Sequence, residues 1–196
     1  MNLPNTLTLS RLGLAFVLIP LLVFDVPFGK TAALILFVVG ALTDYLDGRL
    51  ARNVYGVTQF GSLMDPVTDK VMVCAAFITF VELQIVKAIV VVIIVAREFM
   101  VTGLRLLALN DGQVISAGKW GKHKTVWQLV AIILILLGLA IRDDLLRNKS
   151  AEMLASYNRL FTIGSHTISI AVAAITVLSG IMYLVEHKSL MTKAER

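Results

Sequence analysis

Hydrophobic residues fall into six long runs, at approximately 7–25, 31–50, 63–82, 85–108, 125–141 and 160–186, separated by short polar connections. About 20 apolar residues in a helix cross the hydrocarbon of a bilayer, so each run predicts a membrane-spanning helix. The predicted fold class is an all-α integral membrane protein, a single bundle of about six transmembrane helices. No internal repeat is visible and the connections are short, so residues 1–196 read as one domain. The first apolar run, Leu12 to Phe24, has the length of a signal-peptide core. It lacks a basic segment before it and a small-x-small site after it, and therefore reads as a retained first span.

Composition agrees: 58% of residues are hydrophobic and the mean hydropathy is +0.84, far above soluble-domain usage. The lone cysteine, Cys74, excludes an intramolecular disulfide and a cysteine-rich metal cluster, and reads as packing. The net charge of +5 is spread between the apolar runs, and no groove-reading motif accompanies it. It therefore points to anionic lipid headgroups and away from nucleic acid.

The basic residues also predict an orientation. With the N-terminus cytoplasmic, the inner side receives Arg11, Arg49, Arg52, Lys70, Arg105, Lys119, Lys122, Lys124, Lys188, Lys193 and Arg196. The outer side receives fewer. The bias is weakest at the fifth connection, Arg142 to Arg159, where four bases face Asp143, Asp144 and Glu152.

The candidate chemistry lies where the second run ends and the third begins. Asp44, Asp47, Gly48, Ala51 and Arg52 recur at i, i+3, i+4, i+7 and i+8, one stripe of a helix. Gly61, Asp65 and Asp69 are spaced by four and share a face of the next helix. Two antiparallel helices with a short connection are expected to be neighbours, so the stripes can face each other. Ionised carboxylates beside hydrocarbon repel one another unless they are protonated or neutralised. A pair of divalent cations is the natural neutraliser, and ligands that are all oxygen favour Mg²⁺ or Mn²⁺, with Ca²⁺ also fitting. Gly48, Ala51 and Gly61 leave room beside the acids for a bulky ligand, although small residues also serve helix packing in membranes. Pro66 reads as an early-turn proline of the third span.

The arrangement Asp44-x-x-Asp47-Gly48-x-x-Ala51-Arg52, eight residues, Gly61-x-x-x-Asp65-x-x-x-Asp69 resembles the full signature of the CDP-alcohol phosphotransferase family, without departure in residue or spacing. The resemblance implies a six-helix membrane enzyme in which an alcohol attacks the β-phosphate of a CDP-linked lipid and CMP leaves. It implies that Asp44, Asp47, Asp65 and Asp69 hold two divalent ions, Mg²⁺ or Mn²⁺, and that Gly48, Ala51, Arg52 and Gly61 surround the CDP moiety. It also implies that Asp69 is the general base; the competing role is that of a ligand only.

Three further segments resemble the members that use glycerol 3-phosphate as acceptor: Leu3-Pro4-Asn5 to Arg11, Arg97-Glu98 to Arg105, and Gly118-Lys119 to Thr125. The implied substrates are CDP-diacylglycerol and glycerol 3-phosphate, and the implied setting is a bacterial cytoplasmic membrane with the site facing the cytoplasm. A homodimer is also compatible with the family.

An anionic acceptor needs cations, and Arg105, Lys119, Lys122 and Lys124 lie near the inner end of the fourth and fifth spans. The lysines also fit anionic-lipid contacts. Glu98, Thr102 and Arg105 share a face, on which Glu98 is placed to orient Arg105. Arg97 reads either as a functional cation or as the partner of a buried acid. Asn5, Thr8 and Arg11 recur every three residues. They read either as contacts, Asn5 and Thr8 to the CDP-lipid and Arg11 to the acceptor phosphate, or as a helix start with a snorkelling arginine. Three rivals remain open at this level: another acceptor alcohol within the family, a divalent-cation path lined by the acids, and a non-catalytic lipid-binding scaffold that would tolerate loss of Asp69.

Overall fold

A computed structural model describes the backbone over residues 3–54, 59–110 and 119–187, and side chains over 12–43, 70–108, 121 and 123–187. Among the described residues the chain is all-helical. The elements are α1 (Leu3–Val23), α2 (Gly29–Val54), α3 (Gln59–Glu82), α4 (Ala88–Asn110), α5 (Lys119–Ala140), a π-helical turn at Ile141–Leu145, and α6 (Ala151–Glu186). The six apolar runs thus correspond one to one with helices.

The largest boundary difference is at α6. The hydropathy pattern starts this helix near 160, whereas it begins at Ala151 and runs for 36 residues. Its first turns, Ala-Glu-Met-Leu-Ala-Ser-Tyr-Asn-Arg, are helical without being uniformly apolar, so a hydropathy pattern does not see them. The expected fifth connection, 142–159, accordingly shrinks to the π-turn and a few residues after it. Likewise α3 starts at Gln59, which places Pro66 beyond the first turn, where the helix ladder lacks one N–H.

α1 packs against both α2 and α3, α5 against α2 and α6, and α4 against α3 and α6. The core where they meet holds Leu18, Leu22, Phe37, Phe77, Phe80, Ile94, Ile132, Leu136, Leu139 and Val172, all at or near full burial. Phe77 meets Phe80 edge to face, with centroids 6.2 Å apart and planes at 83°, the offset geometry that ring quadrupoles favour. Cys74 is buried, as expected of a packing residue.

Large apolar side chains also cover the outside: Phe16, Ile35, Ile89, Phe99, Leu160 and Val185 are each more than half exposed. Contiguous apolar surface of this kind is the mark of a lipid-facing protein. Two helical stretches among the described residues, His123–Leu145 and Ala151–Glu186, are long and apolar enough to cross a membrane.

One end of the bundle is stapled by polar contacts. Asp144 in the π-turn accepts from the Thr31 backbone N–H at 2.8 Å and its hydroxyl at 2.6 Å, capping the start of α2 from outside that helix. Lys30 donates to the carbonyls of Leu22 and Phe24 at 2.5 and 3.2 Å, serving the open C-terminal end of α1. Arg147 forms a two-pronged pair with Asp25 at 3.0 and 2.8 Å, and Arg142 pairs with Asp143.

Candidate active site

The acid stripes lie at the opposite end. Asp44, Asp47, Gly48, Ala51 and Arg52 occupy the last turns of α2, and Gly61, Asp65 and Asp69 the first turns of α3. The side chains of these residues lie outside the described ones, as do those of Asn5, Thr8 and Arg11 in α1 and of Lys119 and Lys122 in α5.

A described contact just below them brings Gly40 of α2 near Met72 of α3. A Cβ at Gly40 of α2 would fall 3.1 Å from Met72 Sδ and 3.2 Å from Met72 Cε of α3, and 3.4 Å from Leu14 Cδ1 of α1. The missing side chain at Gly40 therefore leaves room for the Met72 thioether, where α1 packs between α2 and α3. From Gly40, Asp44 and Asp47 follow at i+4 and i+7. From Met72, Asp69 and Asp65 lie at i−3 and i−7. Helical register thus carries both acid pairs along the two stripes that start at this contact.

Beside this region the structure holds a buried ionic centre. Arg97, Glu98 and Lys124 are 8%, 4% and 3% exposed. Glu98 Oε1 accepts a charge-assisted bond from Lys124 Nζ, with Arg97 Nη1 and Gln128 Nε2 each at 3.4 Å. Arg97 Nη2 also donates to Ser179 Oγ at 2.9 Å, and Thr102 donates to the Glu98 carbonyl at 2.7 Å. Of the two roles open for Arg97, the partner of a buried acid is the one seen.

The expected pairing of Glu98 with Arg105 is corrected. Arg105 lies two turns beyond Arg97, and its guanidinium carbon is 5.4 Å from the centroid of the Tyr183 ring, within cation–π range. The carboxylate of Glu98 is instead taken by Lys124, which a face count on α4 alone does not reveal. Lys124, expected near the acceptor phosphate, is buried with its ammonium on Glu98.

Gln128, Ser179, Gly180 and Tyr183 were not singled out by the sequence. Their signal was a periodic one: Ser165, Ser169, Thr176, Ser179 and Tyr183 recur at helical spacing inside the apolar run of α6, and all are buried.

Comparison with known proteins agrees with the signature. The model of the CDP-alcohol phosphatidyltransferase family matches residues 1–186. A Bacillus subtilis (strain 168) protein named CDP-diacylglycerol--glycerol-3-phosphate 3-phosphatidyltransferase is 40% identical over 148 residues, covering 69% of this chain and 77% of the relative. Proteins of the same name from Rickettsia bellii and Haemophilus influenzae are 34% and 32% identical. The first alignment covers 70% of this chain and 76% of the relative; the second covers 93% and 91%. With the family match spanning nearly the whole sequence, the chain belongs to the CDP-alcohol phosphatidyltransferase family.

Proposed function

We propose that the protein transfers the phosphatidyl group of CDP-diacylglycerol to glycerol 3-phosphate, giving phosphatidylglycerophosphate and CMP. The observation that carries this reading is the uninterrupted aspartate signature at the end of α2 and the start of α3. Relatives bearing the matching name support the choice of acceptor.

The reaction joins two anions, so charge must be neutralised and the reactants aligned. Four carboxylates as the donor set fit hard divalent cations, two Mg²⁺ or Mn²⁺ held by Asp44, Asp47, Asp65 and Asp69. Such ions, when bound, neutralise the pyrophosphate and the charge gathering on departing CMP. Gly48, Ala51 and Gly61 leave space for the nucleotide against the helix backbones, with Arg52, Asn5 and Thr8 at its edge. Asp69 takes the proton from the acceptor hydroxyl. That hydroxyl oxygen forms the new bond to the β-phosphorus while the bond from this phosphorus to the bridging oxygen breaks, and CMP leaves with the electron pair. Arg105, with Arg11, Lys119 and Lys122, attracts the acceptor's phosphate.

In the bilayer the proposed arrangement is a six-span bundle with the N-terminus and the aspartate end cytoplasmic, where both water-soluble partners are available. The family and the apolar helix faces support membrane association, and the basic residues support this orientation.

The test is CMP release by purified protein with CDP-diacylglycerol and Mg²⁺ or Mn²⁺, comparing glycerol 3-phosphate with inositol phosphate, serine and no acceptor. Release that needs glycerol 3-phosphate, stops on chelation and is lost in Asp69→Asn is expected. Release driven by another alcohol overturns the acceptor. Metal flux into liposomes without CMP release would favour a cation path instead.

A further inference from the structure

The last turns of α6 meet α4 along a buried stripe formed by Thr176, Ser179, Gly180 and Tyr183. At Gly180 a Cβ would lie 3.0 Å from Arg97 Cγ, so the glycine is what admits the Arg97 side chain, and Ser179 receives its guanidinium at 2.9 Å. Two α4 turns further on, the Tyr183 ring lies beneath Arg105. Tyr183 is only 5% exposed, and its ring stacks on His187 with centroids 4.4 Å apart and planes at 26°. His187 is tied back in turn, its backbone N–H donating to the Tyr183 carbonyl at 3.2 Å. The ring thus contacts both Arg105 and His187.

Two polar atoms at this contact have no hydrogen-bond partner among the described residues: Arg105 Nε and the Tyr183 hydroxyl, both buried. A buried donor left unpaired is costly. Here the guanidinium lies over the face of a ring, with its Nε unpaired among the described residues.

We infer that Tyr183 is a positioning residue for acceptor recognition: its ring holds the Arg105 guanidinium in place for the acceptor's phosphate, while Ser179 and Gly180 seat Arg97 beside it. This rests on the assignment of Arg105 to the acceptor phosphate above. It assigns to α6, which carries none of the aspartate signature, control over how tightly the acceptor binds. Fixing a long, rotamer-rich cation before the ligand arrives removes part of the ordering cost of binding, and so acts on the acceptor KM with little effect on the chemical step.

The experiment uses the full chain in detergent, with CMP release as readout and both substrates varied. Tyr183→Phe keeps the ring and leaves all constants within about twofold. Tyr183→Leu removes the cation–π contact and raises the glycerol 3-phosphate KM about five- to tenfold, with kcat and the CDP-diacylglycerol KM within about twofold. Tyr183→Met, whose flexible unbranched side chain can fill the space differently, gives the same split should the leucine variant not fold. In an Arg105→Ala background Tyr183→Leu adds nothing further, because the residue it positions is gone.

Equal impairment of Tyr183→Phe and Tyr183→Leu, or a fall in kcat with unchanged acceptor KM, overturns the inference. So does an unchanged acceptor KM in Tyr183→Leu when Arg105→Ala raises it. If Arg105→Ala itself leaves the acceptor KM unchanged, the assignment of Arg105 fails, and this inference fails with it.

Discussion

Glu98 shows how much one carboxylate can hold in a largely apolar interior. Lys124, Arg97 and Gln128 all approach the same oxygen, so removing it strands two buried cations. Glu98→Ala is expected to destabilise the protein by about 3–5 kcal/mol, read as a lower thermal transition in detergent. The double variant Glu98→Gln with Lys124→Met is expected to recover part of that loss, because it removes a charge of each sign. At this scale the family signature was legible from the spacing of the aspartates, while their side chains lie outside the described residues. The partner of Glu98 was not legible. It lies 26 residues away on α5, and periodicity within α4 ranks neighbours on one helix only, which led to Arg105. Tyr183 was hidden for the same reason: an aromatic residue in an apolar run has the composition of core.

Among the elements, the ends carry information that hydropathy misses. α3 closes with Gln84 at φ 57, where Ile85 N–H bonds Phe80 O at 2.9 Å and Gln84 N–H bonds Val81 O at 2.9 Å, the nested pattern that usually places glycine at this position. Gln84 is exposed and carries a left-handed backbone penalty, so Gln84→Gly is expected to raise stability by up to about 1 kcal/mol, measured by thermal unfolding in detergent. The start of α2 relies on Asp144 of the π-turn. Asp144→Ala is expected to cost about 1–2 kcal/mol, the range for loss of a helix cap, whereas Asp144→Asn retains an acceptor oxygen and costs less. Helix number was readable because each run is long and strongly apolar. The early start of α6 was not, because membrane hydropathy reports contact with lipid, and helical hydrogen bonding continues past it.

For the whole molecule, the weak point of the charge bias has a structural cause. Of the four bases between 142 and 159, Arg142 and Arg147 are paired with Asp143 and Asp25, and Arg159 lies within α6. The Arg147 pair joins the α1–α2 turn to the segment after the π-turn, at the end remote from the aspartates. The proposed orientation places that staple outside the cell. In a Cys74→Ser background, Asn148→Cys is expected to react with a membrane-impermeant maleimide in intact cells, and Glu186→Cys only after permeabilisation. The reverse pattern would invert the topology and move the proposed site away from cytoplasmic substrates.

The length of α6 has a mechanical consequence. Its 36 residues extend about 54 Å at 1.5 Å per residue, against a hydrocarbon thickness of about 30 Å. A helix with this excess tilts or projects beyond the hydrocarbon, within what its packing on α4 and α5 allows. Tyr183 stands near one tip of this rod, and Tyr157, whose hydroxyl donates to the Gly138 carbonyl of α5 at 3.0 Å, anchors it near the other. Packed on α4 and α5, the rod would carry any change of tilt to its end beneath Arg105. Reconstituted in bilayers of shorter or longer acyl chains, the protein is expected to change its glycerol 3-phosphate KM more than its CDP-diacylglycerol KM, so that membrane thickness itself tunes the demand for acceptor.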